Sequence, residues 1–151
     1  MRARALVMRS IARVAVAGWF ASVETSGLER VPERGPVLVV ASHEGGFVDP
    51  ALLTATLPRF ARFLAMASLW RTPARPFLTL AGAIPVRRAS DGPTTGNERA
   101  FRACHEVLAG DGVVAIFPEG RASDEVQLLP MRTGAARIAI GARTAGAEGL
   151  R

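Results

Sequence analysis

The sequence predicts an α/β domain, a mostly parallel central sheet flanked by helices and preceded by an N-terminal amphipathic helix. Three observations carry the prediction. Short apolar runs alternate along the chain with segments of helical periodicity. The runs are uncharged on both faces, as in Val37-Leu38-Val39-Val40, where a sheet wetted on one side would alternate apolar and polar residues. The chain has 151 residues, 49% hydrophobic and 21% charged, enough for one core and too few for two full domains.

Residues 1–26 form the N-terminal unit and residues 27–151 the main domain. Within the first, Arg2, Arg9 and Arg13 fall near one side of a helix, while Leu6, Val14, Trp19 and Phe20 populate the rest. The longest uncharged run, residues 14–23, is about half of the ~20 residues a spanning helix needs. Arg9 and Arg13 interrupt the apolar region that a secretory signal requires, and no small-x-small cleavage site follows. Two readings stay open. The arginines face anionic headgroups with Trp19 and Phe20 in the acyl boundary, or the helix packs on the domain; periodicity does not distinguish lipid from protein as the apolar partner.

After Gly27 a turn-rich stretch leads into the strand at 37–40, too short for a helix. Asp49 as N-cap and Pro50 at the first helical position open a helix through Ala51-Leu52-Leu53-Thr54-Ala55-Thr56-Leu57. A strand at 63–66, a short helix at 77–81 and a strand at 83–86 follow, then a polar loop at 87–97 containing Asp91-Gly92-Pro93. Ala100, Phe101, Cys104, Val107 and Leu108 keep helical spacing from 97 to 108, with Gly110 as the C′ residue. Residues 113–117 are the clearest strand, and 133–145 the last helix. Cys104 falls on the apolar side of its helix as a core residue, and His105 on the flank as a solvated one.

Charge narrows the function. The 19 basic residues exceed the 13 acidic ones by six, and every basic residue is arginine. Lysine chemistry and a P-loop lysine are excluded, while bidentate recognition of phosphate is available in quantity. One cysteine and two histidines exclude a disulfide framework and supply no cluster for a metal. With 6% aromatic residues, no tyrosine and no zinc-finger or RNA-recognition signature, nucleic acid is not the expected partner.

In parallel sheets, sites collect beyond the carboxyl ends of the strands. Beyond Val40 stand His43 and Asp49, beyond Val86 stand Arg87 and Arg88, and beyond Phe117 stand Glu119, Gly120, Arg121 and Ser123. A base, a cation and an acid with a cation thus come from three strand ends. This ordered set resembles the glycerolipid acyltransferases of the PlsC-like phosphate acyltransferase superfamily, over residues 27 to 143. His43 and Asp49 are similar to the family's first block, with five intervening residues where the family has four; Gly45 and Gly46 lie in the longer loop and permit it to bulge. Asp49 alone is also explained as a helix cap, and Glu44 is a weaker candidate to orient the histidine. Gly82-Ala83-Ile84-Pro85-Val86-Arg87-Arg88 resembles the second block with Arg88 in the matching register and Arg87 as its rival. Phe117-Pro118-Glu119-Gly120 resembles the third, whose threonine is missing here so that Arg121 arrives one position early, with Ser123 beyond it. Met131 to Ala139 resembles the small-residue helix that follows. The family's proline-containing fourth block has no counterpart before Arg151, so the chain is expected to be truncated at its C-terminus, with an unfilled sheet edge.

The resemblance implies acyl transfer from acyl-CoA or acyl carrier protein, as donor substrate, to a hydroxyl of a phosphorylated glycerolipid precursor such as lysophosphatidate or glycerol-3-phosphate, in phospholipid biosynthesis. His43 would be the general base and Asp49 its orienter. Arg88, Glu119, Gly120, Arg121 and Ser123 would bind the acceptor. No cofactor and no metal are implied. The partners would be an anionic membrane surface, the thioester donor and the lipid acceptor, at the cytoplasmic side of the cell membrane as a peripheral protein. No G-x-S-x-G elbow supports a covalent hydrolase. A membrane-associated lipid-binding protein with the same fold and no turnover is the alternative.

Overall fold

The computed structural model describes residues 2–87, 96–121 and 129–151. Among them the elements run α1 (Arg2–Trp19), β1 (Val37–Val40), α2 (Val48–Thr56), β2 (Ala61–Met66), α3 (Arg75–Ala81), β3 (Ile84–Val86), α4 (Glu98–Ala109), β4 (Val113–Ile116) and α5 (Gly134–Thr144). All strand pairings are parallel, in the order β1-β4-β2-β3. The expected doubly covered sheet is present, and most of the loop predicted at 87–97 lies outside the described residues.

Strand β4 is central and buried along its whole length. Its side chains divide between two cores. Val114 and Ile116 join Cys104, Leu108, Ile138 and Ala142 under α4 and α5. Val113 and Ala115 join Val37, Leu57, Ala61 and Phe63 on the α2 face. Period-two alternation with helices on both sides is why the strand carries no polar residue. Strand β2 begins two residues before the predicted start because Ala61 and Phe63 are buried while Arg62 between them points outward, its Nε donating to the Gly82 carbonyl at 2.8 Å.

Helix α1 resolves the first ambiguity toward packing. Met8, Ala12 and Val16, four residues apart, are buried against the domain, and the helix lies across α2 and touches α3. Arg9 does not face outward for headgroups; its guanidinium donates to the Leu57 carbonyl at 2.6 Å, at the C-terminus of α2. Arg4 likewise donates to the Thr79 and Leu80 carbonyls at the end of α3. A guanidinium satisfies carbonyls that a helix end leaves unpaired and complements its negative pole. The opposite side of α1 is exposed and apolar at Leu6, Val7 and Val14.

Helix α3 begins two residues before its expected start, and two helix ends are closed differently from expectation. Gly110 closes α4 with ordinary negative φ, and the left-handed residue is Asp111 at φ 58°. The Gly112 and Asp111 N–H groups donate to the Val107 and Leu108 carbonyls at 2.8 and 3.0 Å, a Schellman closure shifted by one residue. Gly112 is the glycine that sterics demand, since a Cβ there would stand 2.5 Å from the Val107 oxygen. Asp49 is not the N-cap of α2; that place belongs to Phe47, and Asp49 sits inside the first turn with its carboxylate engaged elsewhere.

His105 is also not a solvated flank residue. Its ring lies against Gly141 of α5, where any Cβ would overlap it, and its Nε2 is buried with no hydrogen-bond partner among the described residues. At the sheet edge, Arg151 pairs in parallel with β1, its N–H donating to Pro36 O and its carbonyl accepting from Leu38 N–H.

Candidate active site

The strand order puts β1 beside β4, so the segments that leave their carboxyl ends run side by side. Ala41 N–H continues the ladder to Ile116 O at 3.2 Å. Two residues later the His43 N–H donates to Glu119 Oε2 at 3.0 Å. Glu119 is 5% exposed, the one buried charged residue among those described, and its carboxylate ties the loop that carries His43 to the end of β4. A carboxylate accepting a main-chain N–H is a strong, short-range anchor.

His43 Nδ1 is 2.8 Å from Asp49 Oδ2, with both side chains largely buried. The longer loop does not separate the pair. Gly46 adopts φ 57° and a turn bond joins Val48 N–H to Gly45 O at 3.0 Å, which absorbs the additional residue before α2 starts. The Gly45 N–H also donates to Asp49 Oδ2 at 2.9 Å. A Cβ on Gly45 would lie 2.8 Å from Asp49 Oδ1, so the first glycine makes room for the carboxylate and the second supplies the left-handed turn. Asp49 therefore bonds the His43 ring and does not cap the helix through its side chain.

The imidazole rests on Phe117, ring centroids 4.2 Å apart and planes inclined by 16°, and Phe63 lies beyond it at 6.3 Å. With Nδ1 engaged by a carboxylate, the consistent tautomer carries the proton on Nδ1 and leaves Nε2 free to accept one. Sequence reasoning assigned Phe117 no task; its signal was its place at the end of the most apolar strand.

Gly120 turns the chain at φ 74° after Glu119. Arg121 follows with an exposed side chain. Arg88 and Ser123 lie outside the described residues. At the end of β3 the Asn97 side chain grips the main chain of Arg87, accepting its N–H at 2.9 Å and donating to its carbonyl at 2.8 Å. A residue missed in the sequence also reaches this place. Arg132 N–H donates to Pro118 O at 2.9 Å, and its side chain lies over Gly120, Nε and Cδ standing 3.3 and 3.4 Å from where a Cβ would be. Among the described residues no group of histidine, cysteine, aspartate or glutamate side chains could hold a metal ion.

Residues 22–146 match the sequence profile of the Acyltransferase family. An uncharacterized acyltransferase of Schizosaccharomyces pombe is 34% identical over 128 residues, covering 80% of this chain and 19% of that protein. The crystal structure of the 1-acyl-sn-glycerophosphate (LPA) acyltransferase PlsC from Thermotoga maritima superposes with a TM-score of 0.71 at 20% identity, over 93% of this chain and 56% of that one. At that identity the likeness is one of fold, and this chain spans about half the length of the bacterial protein and about a fifth of the yeast one. The profile match over most of the sequence settles the lineage: the chain belongs to the acyltransferase family.

Proposed function

We propose that this protein transfers a fatty acyl group from acyl-CoA or acyl carrier protein to a hydroxyl of a phosphorylated glycerolipid precursor such as lysophosphatidate or glycerol-3-phosphate, within phospholipid biosynthesis. The observation that carries the reading is the His43–Asp49 contact of 2.8 Å, kept in spite of the longer loop. His43 Nε2 takes the hydroxyl proton as the oxygen attacks the thioester carbonyl; the C–O bond forms, the C–S bond breaks, and the proton passes to the departing thiolate. Asp49 fixes the tautomer and stabilises the imidazolium between these steps. No acyl-enzyme is required, because holding donor and acceptor together supplies much of the acceleration. Cys104 is no nucleophile for such a route: it is fully buried, and burial pushes its thiol up to about 12.

In this reading Arg88 and Arg121, beyond β3 and β4, bind the acceptor's phosphate; Gly120 admits its close approach and Ser123 adds a hydroxyl donor. Glu119 shapes the same wall while holding His43. The intact His43–Asp49 pair favours turnover over a lipid-binding protein of the same fold.

A lipid acceptor calls for a protein at the membrane. No helix among the described residues is long and apolar enough to cross one. The exposed side of α1, with Leu6 65% and Val14 75% exposed and Arg13 on its flank, fits a peripheral contact with an anionic bilayer on the cytoplasmic side. The test of the activity is incubation with radiolabelled acyl-CoA and a panel of lysophospholipids and glycerol-3-phosphate. Labelled product from the native chain and none from His43→Ala supports the reading; no product with any acceptor overturns it.

A further inference from the structure

We infer that Arg132, outside the blocks that define the site in sequence, binds the acceptor's phosphate, with Gly120 as the seat of its side chain. The inference rests on the acyl-transfer reading above. Its observations are local. Arg132 is placed by its own main chain, whose N–H donates to Pro118 O, so the residue is fixed at the end of β4 rather than carried on a loose connection. Its side chain crosses the Gly120 turn so closely that a methyl at 120 would stand 3.3 Å from Nε. A missing side chain at 120 therefore serves a second purpose besides the positive φ of 74°: it leaves a shelf on which the guanidinium stem lies.

The position fits the acceptor rather than the donor. Gly120 follows Glu119, whose carboxylate holds the His43 main chain, so the turn against which Arg132 lies adjoins the residue bonded to the loop that carries the base. In lysophosphatidate or glycerol-3-phosphate the reacting hydroxyl and the phosphate are a few bonds apart. In acyl-CoA the pantetheine arm separates the thioester from every phosphate. A guanidinium at the Gly120 turn therefore suits the phosphate of the small acceptor.

Arg4, Arg9, Arg59 and Arg62 are committed to structure, each donating to main-chain carbonyls. Arg132 donates none of its side-chain N–H groups to such a partner among the described residues, is exposed, and has no carboxylate within salt-bridge distance among them. Its five donors in a planar fork match two phosphate oxygens.

The experiment compares the native chain with Arg132→Gln, Arg132→Lys and, as a control for net charge at the far end of α5, Arg143→Gln. Steady-state rates are measured with lysophosphatidate, with monoacylglycerol as its phosphate-free analogue, and with acyl-CoA varied separately; lysophosphatidate binding is measured by calorimetry. Arg132→Gln is expected to raise KM and Kd for lysophosphatidate about tenfold or more, with monoacylglycerol and acyl-CoA unaffected, and Arg132→Lys to recover only part of the loss. Unchanged lysophosphatidate binding in Arg132→Gln overturns the inference, as does an equal loss in Arg143→Gln. A rise in KM confined to acyl-CoA reassigns the residue to the donor and also overturns it. A native chain that binds lysophosphatidate through Arg132 without transferring acyl groups refutes the catalytic reading and leaves the binding assignment standing. A native chain that does not bind lysophosphatidate refutes the assignment.

Discussion

Phe117 stacks on the imidazole of His43 at 4.2 Å, the two ring planes nearly parallel, and thereby fixes the one rotation of the ring that its bond to Asp49 leaves loose. The hydrogen bond at Nδ1 restrains the ring within its plane, and the aromatic face restrains it across the plane. The strand supplies this support because Phe117 directly follows β4, whose register beside β1 is set by the Val40–Ile116 pairing. An aromatic pair is worth about 0.5–1.5 kcal/mol beyond burial. Phe117→Leu, close in volume, is therefore expected to lower kcat roughly three- to tenfold with little change in KM for either substrate, while Phe117→Tyr retains the ring and the rate. Steady-state kinetics decide it. A change in KM alone would mean that Phe117 contacts substrate instead.

The two glycines of the loop between His43 and Asp49 separate placement of the carboxylate from strain of the backbone. Gly45→Ala drives a methyl toward Asp49 Oδ1 and should reduce transfer as Asp49→Asn does, toward the roughly 10²–10⁴-fold that a general base contributes. Gly46→Ala meets no atom within 4 Å but must hold φ 57°, so its expected effect is a stability loss of about 1–2 kcal/mol with the chemistry preserved. Rates and denaturation midpoints on both variants test this. If Asp49→Asn keeps most of the activity, Asp49 does not orient His43.

The strand ends were legible because buried parallel strands announce themselves: Val113 to Ile116 carries no polar residue, and whatever follows such a strand lies at a site edge. His43, Asp49 and Glu119 were found on that ground. What escaped was set by contacts between distant segments. The reading of Arg9 stayed open between headgroups and the domain because periodicity contains no information about the Leu57 carbonyl it meets across the α1–α2 contact. His105 read as solvated because only the absence of a side chain at Gly141, thirty-six positions away, lets the ring enter the α4–α5 interface. Arg132 was passed over because its neighbour, Gly120, comes from the other side of an intervening segment.

Attachment of α1 to bilayers should follow apolar area more than charge. Arg4 and Arg9 are spent on the ends of α3 and α2, whereas Leu6 and Val14 face outward. Burial of each such side chain in the acyl boundary contributes about 1.5–3 kcal/mol, against about 1 kcal/mol for an arginine near an anionic surface. Leu6→Ser with Val14→Ser is expected to abolish cosedimentation with vesicles containing anionic lipid, and added salt to weaken it only modestly. Undiminished sedimentation of the double variant would remove α1 from the membrane contact.

Stability should fall as the medium is acidified, through His105. Burial lowers its pKa below the ordinary 6.5, because the ring lies against Gly141 with Nε2 out of reach of water or any described partner. In the unfolded chain the imidazole regains its ordinary affinity for protons. Between 6.5 and the lowered folded value the unfolded state thus binds the extra proton, and stability rises with pH across that window and is lost as pH falls through it. Protonation in the folded state would place a charge in the α4–α5 interface, where Ile138 and Ala142 of α5 are fully buried beside Cys104 and Leu108 of α4. The measurement is the thermal midpoint at pH 7.5 and pH 5.5 for the native chain and for His105→Gln, which fills similar space and does not titrate. The native chain is expected to lose more of its midpoint between the two values than the variant, the difference isolating His105 from every other group that titrates in common. Equal losses would show that His105 takes up its proton in the folded state as readily as in the unfolded one.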